Sequence, residues 1–333
     1  MTSVTVYGSG SWGTAYAAIL ADAGCSVTMW SRRAEVARAI NEEHINSAYL
    51  PELVLPQRVR ATDDPHEAGA GAEIVVLAVP SQTLRDNLVV WGDAIEGEAV
   101  VVSLMKGIEL GTTKRMSQVI EEAGSVDPQR IVVVSGPNLA PEIAAKQPAA
   151  AVVASVGKNA RAKVAEASAT PYFRPYTNGD VIGTEIGGAV KNVIALAVGM
   201  AKGMGMGDNS MASLLTRGLA ETARFGVRLG ADPQTFLGLA GVGDMVATCA
   251  SPLSRNNSFG FKLGQGMTLA EVVADTKQTA EGVKSCESIL ALARSVGADV
   301  PIVEAVEAVV HEGRDPKDLV SLLMTRALKH ERS

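Results

Sequence analysis

Five uninterrupted apolar stretches mark the first half of the chain: SVTVYG (3–8), CSVTMW (25–30), EIVVLAVP (73–80), AVVVSLMK (99–106) and RIVVVSGP (130–137). They are valine-rich and do not alternate with polar positions, which is how strands buried on both faces of a parallel sheet read. Between the first of them lie SWGTAYAAILADAG and SRRAEVARAINEEH, whose composition is helical. The alternation predicts a doubly wound sheet with right-handed crossovers. AAAVVASVG (149–157) and YFRPYT (172–177) are expected to add edge strands. After about Gly183 the strand pattern fades. Long helical patterns follow, from EIGGAVKNVIALAVGMAKGM to PKDLVSLLMTRALKHE, with GMGMGDNS (203–210) breaking the first two apart. The expected fold class is α/β: a doubly wound sheet over residues 1–182, then an all-helical domain over 183–333. No Pro/Ser-rich linker separates them. An extensive shared interface is therefore expected, and ligand pockets favour such interfaces.

Composition changes this picture little. With 333 residues, 47% hydrophobic and 20% charged, the chain is an ordinary soluble globular protein. A net charge of −6 argues against nucleic-acid or anionic-membrane partners, but not against a small basic pocket. Cys25, Cys249 and Cys286 lack metal-ligand spacing and read as inert thiols of a reducing compartment, and the four histidines are scattered; no metal is expected. The N-terminus goes directly into a strand, and the apolar run VIALAVGMA (193–201) is about half a bilayer span. A cytoplasmic protein without an integral membrane segment is expected.

Candidate chemistry begins with Gly8, Gly10 and Gly13 in GSGSWG, after the first strand and at the start of a helix. This is the Rossmann-like dinucleotide fingerprint: a tight turn, close approach to a pyrophosphate, and close helix–strand packing. An acidic residue at the end of the second strand would accept from a ribose 2′-hydroxyl. Here the chain has Ser31-Arg32-Arg33, and arginine there suits a 2′-phosphate. NADP(H) is the expected cofactor, with NAD(H) also accepted.

Further segments fall at strand ends or around glycines. VPS (79–81) would line the nicotinamide side. Lys106 follows a buried strand directly, an expensive place for a charge unless it meets an anion or solvent. Gly136 and Pro137 hold a turn from which Asn138 offers an amide. Lys191 and Asn192 sit in an apolar helix one turn after Gly187 and Gly188, and a buried lysine titrates low enough for acid/base work. Asp244 lies in a Gly-rich turn, with Thr248 one helical turn beyond. Ser254, Arg255 and Asn256 present a hydroxyl, a guanidinium and an amide suited to phosphate oxygens. Thr279 and Glu281, in TAEGVKS, are candidate cofactor contacts. These residues leave open a dehydrogenase of a hydroxy acid or sugar acid, and a non-catalytic NADP-sensing regulator. The arginine trio favours a phosphate, and Lys106, Lys191 and Asp244 together disfavour the regulator.

The motifs GSGSWGTA, KGIE, GPNLAPE, GGAVKNVIALAVGMAKGMGMGDNS, GVGD, SRNN and AEG, in that order over nearly the whole chain, resemble the bacterial NAD(P)-dependent sn-glycerol-3-phosphate dehydrogenases. The resemblance implies that Lys191 is the acid/base and that Lys106 contacts substrate near the nicotinamide. It implies that Gly136 and Asn138 hold substrate and that Asp244 supports Lys191 and a substrate hydroxyl. Ser254, Arg255 and Asn256 would bind the substrate phosphate, with Arg255 also near the cofactor. Ser11, Trp12, Arg32, Arg33, Ala140 and Glu281 would serve the cofactor. A cytoplasmic homodimer that reduces dihydroxyacetone phosphate to sn-glycerol 3-phosphate for phospholipid synthesis is implied. Two positions depart from the family pattern: Asn138 replaces a small hydroxyl residue, and SLMKG replaces SATKG.

Overall fold

The computed structural model describes residues 1–95, 97–276 and 280–319. Ten strands are found among them: β1 (Ser3–Tyr7), β2 (Ser26–Trp30), β3 (Ile45–Asn46), β4 (Leu50–Val54), β5 (Val59–Thr62), β6 (Ile74–Leu77), β7 (Val100–Ser103), β8 (Ile131–Ser135), β9 (Ala149–Ala154) and β10 (Phe173–Asn178). Eight form one sheet in the order β10-β9-β8-β7-β6-β1-β2-β5, and β3 and β4 pair as a separate antiparallel hairpin. All five strands expected from continuous apolar runs are present, and β6, β7 and β8 are buried at every position.

Three features differ from the sequence expectation. The short strands β3, β4 and β5 were not anticipated; their apolar positions are too few to form a run. The segment AAAVVASVG forms β9, which is not an edge: it lies between β8 and β10. It also runs antiparallel to β8, while all other neighbours in the large sheet are parallel. The short connection through Ala140–Ala144 returns the chain without a full crossover, so the strand direction reverses there.

The last strand ends at Asn178 and the central helix Val181–Gly203 begins at once, capped by Asp180, whose side chain accepts from Gly183 N at 2.9 Å. By length and apolar composition this helix could cross a membrane, well beyond the half-span read from the sequence; 89% of its apolar window is buried inside the fold. It is the axis around which the later helices pack.

Its closest neighbour is the helix Arg255–Gly264. Gly199 and Gly203 on one helix face Gly260 and Gly264 on the other. A Cβ at any of the four would lie 2.1–2.2 Å from a carbonyl oxygen of the opposite helix, at Asn257, Phe261, Leu196 and Met200 respectively. The two main chains therefore touch directly, with no side chain between them.

Candidate active site

The dinucleotide end is built by the turn after β1. Gly8 has φ +119°, and a Cβ there would fall 2.6 Å from Ala78 O; a Cβ at Gly13 would fall 2.3 Å from Gly8 O. Gly10, by contrast, faces open space, with nothing within 4 Å of its Cβ position. It precedes the helix Ser11–Asp22, and no side chain caps that helix start. Open space over an uncapped helix N-terminus is the cradle a pyrophosphate requires, so the residues present fit a dinucleotide. The indole Nε1 of Trp12 is buried there without a hydrogen-bond partner.

At the end of β2, the buried Ser31 hydroxyl accepts from Arg33 N at 3.3 Å and from Ser9 Oγ at 2.9 Å. It thus ties the glycine turn to the arginine pair. Arg32 and Arg33 are exposed. Sequence reasoning missed Asn46, only 1% exposed, whose Nδ2 donates to Ser9 O and to Thr14 Oγ1, each at 2.8 Å. It braces the turn from beneath, and nothing in the local spacing announces it.

A cluster of two lysines and one carboxylate lies where the sheet meets the helices. Lys106, just past β7, reaches Asp244 Oδ2 at 2.6 Å and Gly136 O at 3.1 Å. Lys191, on the central helix, donates to Asp244 Oδ1 and, at 2.6 Å, to Thr248 Oγ1. One carboxylate thus holds both lysines. Asp244 is not in a turn, as the glycines suggested. It opens the helix Asp244–Ala250 after a π-helical turn at Leu239–Gly243, and Thr248 then stands one turn along, at 3.2 Å from Asp244 Oδ1. Gly187 makes this approach possible: a Cβ there would lie 2.3 Å from Ala240 O.

Burial lowers the Lys191 pKa to about 8, against the pull of Asp244 and with the push of Lys106. Burial works against the charge on Asp244 too, but the two lysines outweigh it and hold that carboxyl below its ordinary value. The site therefore keeps one fixed anion beside an ammonium that titrates near neutrality. The three thiols differ in this respect. All are buried, and burial pushes Cys249 and Cys286 up to about 12, which leaves them inert.

Around this centre, Gly136 adopts φ +124° and gives its carbonyl to Lys106. Both amide atoms of Asn138 are buried without partners, as is the Ser135 hydroxyl. Buried polar groups are almost always satisfied, which marks these atoms as candidate ligand contacts. Ala140 starts the short helix beyond and is buried.

On the far side, Ser254 caps the helix Arg255–Gly264 by accepting from Asn257 N at 3.3 Å, so Arg255 stands at a helix start. Asn256 donates to Asn192 Oδ1 at 3.0 Å and accepts from Gly282 N at 2.9 Å. Among the described residues its amide thus keeps one hydrogen for a ligand. Glu281 is the first residue of the helix Glu281–Ser295 rather than part of a turn, and its carboxylate accepts from Ser81 Oγ at 2.9 Å. Thr279 and most of the last expected helix lie outside the described residues. Sequence reasoning also missed Glu185, which takes Ser117 N at 2.7 Å and Ser117 Oγ at 2.6 Å and pairs with Arg115. It locks the central helix to the sheet domain.

Residues 3–161 match the profile of the NAD-dependent glycerol-3-phosphate dehydrogenase N-terminus, and residues 180–321 that of its C-terminus. The chain is 62% identical over 327 residues to glycerol-3-phosphate dehydrogenase (NAD(P)+) of Streptomyces griseus, covering 98% of this chain and 97% of that one. Its counterpart in Thermobifida fusca is 59% identical over 333 residues, covering 100% and 99%. The crystal structure of glycerol-3-phosphate dehydrogenase from Coxiella burnetii superposes with a TM-score of 0.93 at 33% identity, covering 98% of this chain and 99% of that one. A ketopantoate reductase from Ralstonia eutropha shares the fold alone, with a TM-score of 0.58 at 17% identity over 96% of this chain and 100% of its own. Two profiles that together span most of the chain, and relatives matched end to end, place the chain in the NAD-dependent glycerol-3-phosphate dehydrogenase family.

Proposed function

We infer that the chain is an NAD(P)-dependent oxidoreductase that reduces dihydroxyacetone phosphate to sn-glycerol 3-phosphate, reversibly. One observation carries the chemistry: Lys191 and Lys106 converge on the two oxygens of the buried Asp244, at the seam between the dinucleotide turn and the helices. A bound reduced nicotinamide supplies the reducing equivalent. Lys191 gives its proton to the substrate oxygen that becomes the new hydroxyl. Lys106 offers positive charge to that oxygen as negative charge builds on it. Asp244 stays ionised, orients both lysines and keeps the loss of the Lys191 proton reversible. Thr248 fixes the remaining direction of the Lys191 amine.

Arg255, Ser254 and the spare hydrogen of Asn256 take the substrate phosphate, assisted by the helix start they share. Gly136 and Asn138 line the opposite side; the unpartnered Asn138 amide supports that role. Gly8, Gly10, Ser11, Trp12 and Gly13 hold the pyrophosphate. Arg32 and Arg33 meet a 2′-phosphate, and Ala140, Glu281, Lys106 and Arg255 complete the cofactor site. Both NADP(H) and NAD(H) serve. The family resemblance and the net charge of −6 support a cytoplasmic homodimer that feeds glycerophospholipid synthesis and does not bind nucleic acid.

Initial rates of reduction of dihydroxyacetone phosphate and ketopantoate, each with NADPH and NADH, and of oxidation of 6-phosphogluconate with NADP+ and NAD+, test this reading. Turnover of the first alone is expected. Preferred turnover of ketopantoate would overturn the substrate assignment.

A further inference from the structure

The segment between the helix Ala34–Glu43 and β5 has no part in the reaction above, yet it meets the dinucleotide end twice. Asn46 braces the glycine turn. Three residues later, the Tyr49 ring lies under Arg33, with the guanidinium carbon 5.5 Å from the ring centroid. Tyr49 is itself anchored by its main chain: its N–H donates to Asn46 O at 3.1 Å, and its carbonyl accepts from Ser11 Oγ at 3.4 Å. The next residue, Leu50, is buried and starts β4. The Tyr49 main chain is therefore tied to the glycine turn, and its part-buried ring stands beside an exposed cation.

Elsewhere among the described residues, the Arg33 main chain is held: its N–H donates to Ser31 Oγ and its carbonyl accepts from Val36 N and Ala37 N. Its side chain is 44% exposed, and its carboxylate neighbour Glu35, 3.8 Å away, is 70% exposed. Such a solvated pair restrains little. An arginine that must grip a phosphate loses rotamer freedom in doing so. A ring that already holds its guanidinium removes part of that loss before the ligand arrives.

We propose that Tyr49 is a specificity-determining residue: its ring holds the Arg33 guanidinium in place for the cofactor's 2′-phosphate. It therefore strengthens NADPH binding and leaves NADH binding unchanged. This rests on the reading of Arg33 as a 2′-phosphate contact.

Dissociation constants for NADPH and NADH, measured by fluorescence titration, test it in five proteins: wild type, Tyr49→Phe, Tyr49→Leu, Arg33→Ala and the Tyr49→Leu/Arg33→Ala double variant. Tyr49→Leu is expected to weaken NADPH about three- to fivefold, the size of an exposed cation–π contact. It should leave NADH unchanged, which also shows that the protein is folded. Tyr49→Phe keeps the ring and should match wild type. In the Arg33→Ala background, Tyr49→Leu should add nothing. Equal weakening of both nucleotides, unchanged NADPH binding, or a full Tyr49→Leu effect without Arg33 each overturns the proposal. If Arg33→Ala leaves NADPH binding intact, the reading of Arg33 fails and takes the proposal with it. If Arg33→Ala weakens NADPH tenfold while Tyr49→Leu does nothing, the Tyr49 proposal alone is lost.

Discussion

Asp244 Oδ2 lies 2.6 Å from Lys106 Nζ, a contact that crosses from the helical half of the molecule to the end of a sheet strand. The other oxygen of the same carboxylate holds Lys191, so Asp244 is the only described carboxylate paired with either lysine. Replacing it with asparagine strands the buried Lys191 and the part-buried Lys106, a class of change that costs about 3–5 kcal/mol. Lys191 is expected to shed its proton instead. Asp244→Asn should therefore lower kcat about 100-fold and move the alkaline limit of reduction below the wild-type value of about 8. A pH–rate profile with an unmoved limb would remove Asp244 from the control of Lys191.

The wild-type profile has a definite sign. Reduction needs a protonated Lys191, so its rate falls as pH rises through about 8, and oxidation, which needs the free amine, rises through the same value. Stability moves as well. The native lysine titrates near 8 against an ordinary 10.5, so the unfolded chain binds more protons between those values. The destabilisation from burying the ammonium is fully present below that window and is relieved as pH rises through it. Lys191→Met should abolish the pH dependence of turnover and lower kcat by about 10²–10⁴, with NADPH binding preserved in titration.

Gly187 and Gly188 are adjacent but should respond differently. A Cβ at Gly187 meets the main chain, at 2.3 Å from Ala240 O, and that chain leads straight to Asp244. A Cβ at Gly188 meets the Ser135 hydroxyl at 2.9 Å, which a rotation can relieve. Gly187→Ala is expected to cost about 1–3 kcal/mol in urea unfolding and to cut kcat as well, and Gly188→Ala to cost less on both counts. Equal effects would show that the Ala240–Asp244 segment yields without disturbing the lysines.

Glu221, 1% exposed, accepts from Ile302 N and Val303 N at 3.0 Å each, capping the helix Pro301–His311 from another element. Burial raises its carboxyl to about 7 despite those donors. A native group that holds its proton more tightly than the unfolded chain contributes stability below its ordinary pKa of 4.5, and loses it as pH rises through about 7. The difference in unfolding free energy between wild type and Glu221→Gln should therefore slope with pH by roughly 3 kcal/mol across that window. A flat difference would mean that Glu221 is already ionised throughout.

The sequence made the sheet legible where burial is complete, because β6, β7 and β8 leave no polar position to blur the run. It also pointed to Lys191, since a lysine among Ala, Val and Ile conflicts with its surroundings unless chemistry explains it. It did not reveal that β9 runs backwards, because strand direction depends on the length and path of a connection rather than on the strand's own residues. Nor did it reveal that Asp244 serves Lys106 as well as Lys191. The two lysines are 85 positions apart, and only the folded chain brings them to one carboxylate. Asn46, Tyr49 and Glu185 escaped notice for the same reason: each acts through partners on another element.

The four mutually facing glycines of the helices Val181–Gly203 and Arg255–Gly264 fix more than a packing distance. One helix carries the amine of Lys191 and the other begins at Arg255. With main chain against main chain, no rotamer can lengthen or shorten the gap between them. On the reading that Arg255 grips the phosphate, the pair works as a ruler for substrate length: the ketone must sit a set number of bonds from the phosphorus, and a substrate with a longer carbon chain would have to strain itself, because the enzyme cannot stretch.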